Sequence, residues 1–130
     1  MKTRFFEIDS NIVIAENYYN AMLVKDFDKM SSCLHDDVHL ISPLAEIYGK
    51  DAVVLAAKNF ANILHDIKIR ARFSSDNQIM FAYDMDVDGA LGKFRAAVLM
   101  NFSNGCIVNI ALFYEARQFI ENKTKIFQNH

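Results

Sequence analysis

The chain has 130 residues, a length that fits one domain, since single cores usually span roughly 100–150 residues. It is 52% hydrophobic and 23% charged, which excludes a disordered chain, and its formal net charge of −2 offers no basic surface for nucleic acid. Eleven Phe, five Tyr and six Met form an apolar stock that can fill a core and also line a cavity. Only the placement of these residues can indicate what the domain does.

Signals for membrane insertion and secretion are missing from the sequence pattern. No apolar run reaches the roughly 18 residues needed to cross a bilayer, and residues 1–7 lack the apolar stretch of a signal peptide. Cys33 and Cys106 form no Cys-x-x-Cys pair. We expect two reduced thiols, with a disulfide between them as the alternative. The expected molecule is a soluble, cytoplasmic domain over residues 1–130, with neither a membrane nor a nucleic acid as partner.

The first half of the chain predicts three helices and one strand. Asp9 or Ser10 can cap a first helix, and Asp26 can cap a second, short one. Residues 38–42 predict a brief strand that stops at Pro43, and a third helix follows Gly49. The apolar positions expected on these helices are Ile12, Ala15, Tyr19 and Met22 on the first, Phe27, Met30 and Leu34 on the second, and Val53, Val54, Ala57, Phe60, Ala61 and Leu64 on the third.

From residue 67 onward the apolar period changes from helical to two, which predicts strands. Alternating segments cover residues 67–74 and 78–87, and long apolar segments cover 93–102 and 106–117. Asp88-Gly89 and Asn104-Gly105 are turn dipeptides, and Asn-Gly is a strong hairpin signal. A helix or tail is expected from about residue 118. The predicted order is helix, helix, strand, helix and a four-stranded antiparallel meander, which is an α+β fold.

This order resembles the nuclear transport factor 2-like superfamily, which includes SnoaL-like cyclases and ketosteroid isomerases. The resemblance covers roughly residues 10–117 and rests on Tyr18 before Asp26-Phe27-Asp28, on Ser42-Pro43 before Tyr48-Gly49-Lys50, and on the Asn104-Gly105 hairpin. It implies a cone-shaped, curved antiparallel β-sheet packed against N-terminal helices. It also implies an apolar pocket for small molecules inside the cone, and a homodimer through the outer sheet face.

Alternation along the strands assigns the two faces of this sheet. The mostly apolar odd positions from 67 to 87 are predicted to face inward, and the charged even positions outward, where opposite charges can pair. The inward set is Ile67, Ile69, Ala71, Phe73, Phe81, Tyr83, Met85, Phe94, Ala96, Val98, Met100, Phe102, Val108, Ile110, Leu112 and Tyr114. The outward set is Lys68, Arg70, Arg72, Asp84, Asp86, Asn101, Asn109, Ala111, Phe113 and Glu115.

Of the three catalytic positions of ketosteroid isomerases, this chain has a matching residue at only one. Ketosteroid isomerases use a tyrosine of the first helix to donate a hydrogen bond to an oxyanion, and Tyr18 matches it. Where they have a base aspartate before the strand-ending proline, this chain has Ser42, a poor base at neutral pH. Their second acid corresponds to Val98, if one gap near residues 103–105 is allowed. SnoaL-like cyclases use a His/Asp pair in the pocket, and the predicted inner face contains neither.

Two acidic or histidine-rich segments invite a metal-binding interpretation that their context does not favour. Asp84-x-Asp86-x-Asp88-Gly89 begins like a calcium loop, but its twelfth position is Arg95 instead of glutamate. His35 and His39 lie four residues apart at a predicted change from helix to strand, where a polar loop is the simpler interpretation. A metal site completed by Glu46 or His65 stays open as an alternative. We expect no metal and no cofactor.

The leading hypothesis is a domain that binds a small hydrophobic molecule. Its expected polar contacts are Tyr18, Ser42, Tyr83 and Tyr114, and its apolar contacts are Phe81, Met85, Val98 and Met100. Tyr19 and Tyr48 are interpreted as packing residues. One alternative is an isomerase, dehydratase or cyclase, with Tyr18, Ser42 and His39 as catalytic candidates and Asp37, His39 or Glu46 as its base. The other is a non-catalytic dimerisation module that uses the outer sheet face.

Overall fold

A computed structural model describes residues 2–89 and 92–117 of the chain, and for residues 2–9 its backbone alone. Helices in the first half are followed by strands in the second, as the periodicity predicts. The elements are α1 (Lys2–Val24), α2 (Phe27–Ser32), β1 (Leu34–Ile41), β2 (Glu46–Tyr48), α3 (Lys50–Ala61), β3 (Leu64–Ser75), β4 (Gln78–Val87), β5 (Lys93–Ser103) and β6 (Cys106–Tyr114). The helix or tail predicted from residue 118 lies outside the described residues.

Two of the predicted helix starts are confirmed, and one is wrong. The Asp26 carboxylate accepts a hydrogen bond from the Lys29 amide at 3.2 Å and caps α2. Gly49 precedes α3 with φ of 91°, a left-handed value that suits glycine. Helix α1, however, begins at Lys2 and not beside Asp9 or Ser10. Residues 2–10 contain no Gly or Pro to interrupt the helix, so the polar residues at 9 and 10 lie inside it.

The six strands form one open, mixed sheet in the order β2-β1-β6-β5-β4-β3. The predicted antiparallel meander of β3 to β6 is confirmed. Strand β1 pairs in parallel with β6, however, and the short β2, which the sequence analysis missed, pairs with β1. Parallel pairing with β6 also explains why β1 begins at Leu34 instead of residue 38. Leu34 therefore belongs to a strand and not to α2, and Leu64 begins β3 instead of continuing the stripe of α3.

The hairpin between β5 and β6 turns at Asn104 and Gly105, as predicted. Their φ angles are 53° and 78°, both positive, which is the requirement of the two-residue turn that matches strand twist. The connection between β4 and β5 is longer than the Asp88-Gly89 dipeptide suggests, because the Val87 amide donates to the Gly92 carbonyl at 2.8 Å. Within the described residues, no helix has the length and apolar character that crossing a bilayer requires.

A β-bulge in β3 overturns part of the predicted face assignment. Ile69 pairs with Tyr83, but Ala71 pairs with Ala82, so that Arg70 is an extra residue and the alternation reverses after it. Arg72 therefore faces inward, where its Nε donates to Glu16 Oε2 of α1 at 2.5 Å. Ala71 and Phe73 face outward, and Phe73 is 63% exposed. Before the bulge the prediction is confirmed, since Ile67 and Ile69 pair with the buried Met85 and Tyr83. The bulge residue Arg70 donates from Nε to Asp84 Oδ2 on the outer face at 2.7 Å.

A second irregularity lies at the start of β6. Asn101 pairs with Asn109, and the next pair is Phe102 with Ile107, which leaves Val108 as the extra residue. Ile107, and not Val108, is therefore the inward, fully buried side chain. The other predicted inward residues of β4 to β6 do face the helices. Those that are buried on this side are Ile79, Phe81, Tyr83, Met85, Val87, Val98, Met100, Phe102 and Ile110.

Candidate functional site: a cavity between the helices and the sheet

A cavity of about 80 Å³, partly open to solvent, lies between the inner sheet face and helices α1 and α3. This volume is several times the roughly 10–15 Å³ that one water molecule requires. Alanine side chains of α3 and β5 form part of the wall, and their small size leaves this space unfilled. The lining residues are Tyr18, Tyr19, Met22, Leu40, Ala56, Ala57, Phe60, Tyr83, Met85, Phe94, Ala96, Ile110, Leu112 and Tyr114.

Three tyrosines of the lining form one aromatic cluster. Tyr19 packs edge-on against Tyr18 and against Tyr83, with ring centroids 5.2 Å apart in both pairs. The hydroxyl oxygens of Tyr19 and Tyr83 are 3.0 Å apart and share a hydrogen bond. Helix α1 presents consecutive tyrosines because its buried face is broad, with Ala15 and Ala21 also buried beside them. The cluster thus joins the first helix to the centre of the sheet.

The tyrosine hydroxyls are held in their neutral form. Burial raises the pKa of Tyr18, Tyr19 and Tyr83, and the proximity of other tyrosines raises the pKa of Tyr18 and Tyr19 further. Burial also raises the pKa of Tyr114, while its hydrogen bond with Ser42 acts in the opposite direction. Among the lining residues of the described chain there is no Asp, Glu, His, Lys or Arg. The site can therefore donate and accept hydrogen bonds through phenols, but it contains no carboxylate or imidazole base.

The structure brings four of the predicted ligand contacts together on the cavity wall: Tyr18, Tyr83, Met85 and Tyr114. Their function as ligand contacts stays a prediction. Phe81, Val98 and Met100 face the same side of the sheet but lie in the closed core with 0% exposure. They do not line the cavity. Strand alternation predicts which face of the sheet a residue is on. It does not predict which part of that face the helices cover closely and which part borders a cavity.

Ser42 lies beside the cavity wall instead of on it. Its Oγ accepts hydrogen bonds from the amides of Leu44 at 3.3 Å and Ala45 at 3.2 Å, and so closes the turn between β1 and β2. Ser42 also hydrogen-bonds to Tyr114, a lining residue. Ser42 therefore holds a turn and a lining tyrosine in place.

His39 and Glu46 face away from the cavity. Leu40 lines it, so the adjacent His39 of β1 projects from the opposite face of the sheet. There His39 Nε2 lies 2.8 Å from Glu46 Oε2, and the His39 ring stacks on Tyr48 with centroids 4.4 Å apart. Tyr48, interpreted from sequence as a packing residue, is 68% exposed. Asp37, the third predicted base, is exposed on β1 and is not a lining residue.

The other acidic and histidine-rich segments are also separate from the cavity. Asp84 pairs with arginine on the outer face, and the Asp88 carboxylate hydrogen-bonds to His65 at the far end of β4. His65 of β3 is therefore far from His39 of β1, which it would have to approach to complete the alternative metal site with His35 and His39, because three strands separate β1 from β3. Residues 35–39, predicted as a polar loop, form the first part of β1.

Several lining residues were not among the ligand contacts predicted from sequence. Tyr19 carries the hydrogen bond to Tyr83, and the sequence signal was present in the adjacent aromatic pair at 18–19. Ala56, Ala57 and Ala96 matter through their small size, which does not distinguish a cavity wall from close packing. The helical period predicts Phe60 on the apolar stripe of α3, and in the structure this stripe borders the cavity.

A family model for the SnoaL-like domain matches residues 15–110, which include α1 from Ala15 onward, the other helices, and the sheet as far as the middle of β6. The chain belongs to the SnoaL-like domain family. With it, the resemblance to the nuclear transport factor 2-like superfamily is confirmed. No curated protein sequence matches the chain.

Solved structures share the SnoaL-like fold at low sequence identity. A nuclear transport factor 2-like protein of unknown function from Cytophaga hutchinsonii is 14% identical, with 82% of this chain and 91% of that chain covered and a TM-score of 0.74. An LEH-like epoxide hydrolase from M. tuberculosis is 14% identical, with 92% of this chain and 93% of that chain covered and a TM-score of 0.77. A de novo designed protein with a curved β-sheet is 17% identical, with 92% of this chain and 95% of that chain covered and a TM-score of 0.81. These likenesses establish an α+β fold with a curved sheet.

Proposed function

We propose that this SnoaL-like domain binds a small, neutral and mostly apolar molecule in the cavity between α1, α3 and the sheet. The observation that carries the proposal is the wall itself, in which four tyrosines are the only ionisable groups among the lining residues that the structure describes. Apolar walls with a few convergent polar groups are typical of small-molecule sites. The tyrosine hydroxyls fix the orientation of the molecule, and the apolar walls supply most of the binding free energy.

The chemistry of the wall favours a neutral ligand with an oxygen acceptor, such as a ketone or a phenol. A buried anion requires a positively charged or strongly donating partner, and the lining formed by residues 2–89 and 92–117 includes neither Lys nor Arg. Neutral phenols donate hydrogen bonds to carbonyl, ether or hydroxyl oxygens. The cavity therefore disfavours carboxylates and phosphates relative to uncharged analogues of the same shape.

The alternative of an isomerase, dehydratase or cyclase requires a base that reaches the bound molecule. The three bases considered, Asp37, His39 and Glu46, are not lining residues, and His39 and Glu46 bond to each other on the opposite face. One structural neighbour is an epoxide hydrolase, so the fold accommodates catalysis in other proteins. The cavity of this chain supports binding better than proton transfer.

A thermal-shift screen against apolar ketones and phenols, each with a carboxylate analogue, tests this function. A ligand at a concentration 100-fold above its Kd is expected to raise Tm by about 10 °C. Ala96→Ile extends a side chain into the cavity and is expected to abolish the shift. Ala52→Ile, at a partly buried alanine of α3 that belongs neither to the cavity wall nor to the sheet, is the control and is expected to retain it. Equal shifts in both variants, or shifts with the carboxylates alone, would contradict the proposal.

We also propose that the outer face of the sheet pairs with a second copy of the chain. Cross-strand neighbours form an outer apolar band, which consists of Ile41, Ala71, Phe73, Met80, Ala82, Leu99, Ala97, Ala111 and Phe113. Phe73 and Phe113 are 63% and 51% exposed, which is unusual for large aromatic residues in one continuous patch. Beside the band, Lys68, Asp84 and Arg95 supply charges of both signs, so opposite charges can meet across a self-complementary two-fold interface.

Sedimentation velocity over a range of concentrations tests this pairing. The parent protein is expected to sediment as a dimer, and Phe113→Asp as a folded monomer, because an acidic group in the middle of an apolar interface is costly to bury. Val24→Asp makes the same change at an exposed apolar residue of α1, away from the sheet, and is expected to leave the dimer intact. A parent protein that is monomeric at every concentration would disprove the homodimer.

A further inference from the structure

The two cysteines lie opposite each other where two neighbouring strands begin. Cys33 ends α2 and directly precedes β1, and Cys106 is the first residue of β6. Leu34 and Ile107, the residues that follow them, are paired in the parallel ladder. The Ile107 amide donates a hydrogen bond to the Cys33 carbonyl at 2.9 Å. In a parallel ladder this bond places the residue before the donor opposite the acceptor, so Cys106 is opposite Cys33.

This arrangement meets the distance requirement of a disulfide. Neighbouring strands are roughly 4.8 Å apart, and disulfides join residues whose Cα atoms are roughly 4.4–6.8 Å apart. The thiols also interact electrostatically, since proximity to Cys106 contributes to the raised pKa of Cys33. Both cysteines are free thiols in this structure. Little backbone movement therefore separates the reduced pair from a cross-linked one.

We propose that Cys33 and Cys106 form a reversible intramolecular disulfide when the protein meets a low-molecular-weight disulfide. Cys106 is partly exposed, whereas Cys33 is only 8% exposed. Burial also raises the pKa of the Cys33 thiol, although the Lys29 ammonium opposes this. The accessible Cys106 is therefore the residue that reacts first, and Cys33 is the residue that resolves the intermediate.

The exchange is balanced in atoms and electrons. The Cys106 thiolate attacks one sulfur of glutathione disulfide, which forms a mixed disulfide and releases one glutathione thiolate. The Cys33 thiolate then attacks the Cys106 sulfur, which forms the internal bond and releases the second glutathione. The protein loses two electrons and two protons, and glutathione disulfide becomes two molecules of glutathione. Reduced glutathione or dithiothreitol reverses both steps.

The cross-link would join the end of α2 to β6 next to the cavity. The Cys33 thiol is close enough to Tyr18, a lining residue, to contribute to its raised pKa. The bond would also close a long loop that contains β1 to β5. Long loops closed by a disulfide restrict the unfolded chain most in the chain-entropy account, so the oxidised protein is expected to have the higher Tm.

Intact-mass spectrometry after incubation of the full chain with glutathione disulfide tests the proposal. The parent protein is expected to lose the mass of two hydrogen atoms, to carry no glutathione, to yield a peptide that links Cys33 to Cys106, and to melt at a higher temperature. Cys33→Ser is expected to stop at the mixed disulfide on Cys106. Cys106→Ser is expected to react far more slowly, because only the buried thiol is left.

Three results would overturn the proposal. One is a parent protein that accumulates glutathione on Cys106 without internal cross-linking. The second is a parent protein whose thiols stay unmodified in a redox buffer that oxidises comparable thiol pairs. The third is cross-linking only between separate chains on a non-reducing gel. Because all three are measured on the parent protein, the test holds even if a serine variant fails to fold.

Discussion

Tyr83 shows how one side chain serves both the core and the cavity. It is 1% exposed, its ring packs on Tyr19, and its hydroxyl is hydrogen-bonded to the Tyr19 hydroxyl. A buried hydroxyl without a partner costs about 1–3 kcal/mol, whereas the net gain of a satisfied hydrogen bond is smaller. The two tyrosines therefore depend on each other, and a packing interpretation of Tyr19 from sequence is incomplete.

We predict that Tyr19→Phe and Tyr83→Phe each lower the free energy of unfolding by about 1–2 kcal/mol, since each leaves the other hydroxyl without its partner. The double variant is expected to lose less than the sum of the two, with a coupling free energy of about 0.5–1.5 kcal/mol. Urea unfolding of all four proteins measures the cycle. Tyr48→Phe, at an exposed tyrosine, is the control and should change stability by less than about 0.5 kcal/mol. Additive losses would show that the two hydroxyls are independent.

At the scale of elements, local sequence signals sufficed wherever the backbone was regular. The Asp26 cap, the glycine before α3 and the Asn104-Gly105 turn each act within a few residues, and the structure contains all three. The order of helices and the antiparallel meander follow from the change of apolar period at residue 67. The inward side of β4 and β5 follows from strict alternation, because neither strand is bulged where they pair with each other.

The errors come from features that depend on distant parts of the chain. The bulge at Arg70 reverses the faces of β3, and Arg72 is then turned toward Glu16, a residue far away in sequence. Alternation alone cannot locate such an insertion, because Arg72 and Phe73 fit either face of an edge strand. The same holds for Val108, where β6 pairs with β5 on one side and with β1 on the other. The extent of the cavity was equally hidden, since it depends on how α1 and α3 lie over the sheet.

At the scale of the whole molecule, the two faces of the sheet have opposite roles. The inner face is covered by α1 and α3, except where small residues leave the cavity. The outer face exposes the apolar band and a charged row next to it. In this division the buried tyrosines are polar groups that must stay protonated for the core to remain intact. The stability of the domain therefore depends on pH through tyrosines whose pKa values are raised above the ordinary value.

We predict that the protein loses stability steeply above about pH 10. Burial raises the pKa of Tyr18, Tyr19 and Tyr83 above the ordinary value of 10.0. In the unfolded chain these tyrosines release their protons near pH 10, while the native protein retains them. The unfolded state then binds fewer protons than the native state, so the free energy of unfolding decreases as the pH rises. Below about pH 9 both states keep these protons, and the effect vanishes.

Each of the three tyrosines contributes a slope of up to about 1.4 kcal/mol per pH unit, which gives a combined slope of up to about 4 kcal/mol per pH unit. Urea unfolding at intervals between pH 7 and pH 11, with tyrosinate absorbance recorded in parallel, measures this slope. Tyr83→Phe removes one of the three titrating groups, so it is expected to reduce the slope by up to about 1.4 kcal/mol per pH unit. Ile79→Val, which removes a methyl group from the fully buried core and no titrating group, should lower stability equally at every pH. If Tyr83→Phe leaves the alkaline slope unchanged, or if tyrosinate forms before the chain unfolds, the phenol of Tyr83 is not held neutral by burial.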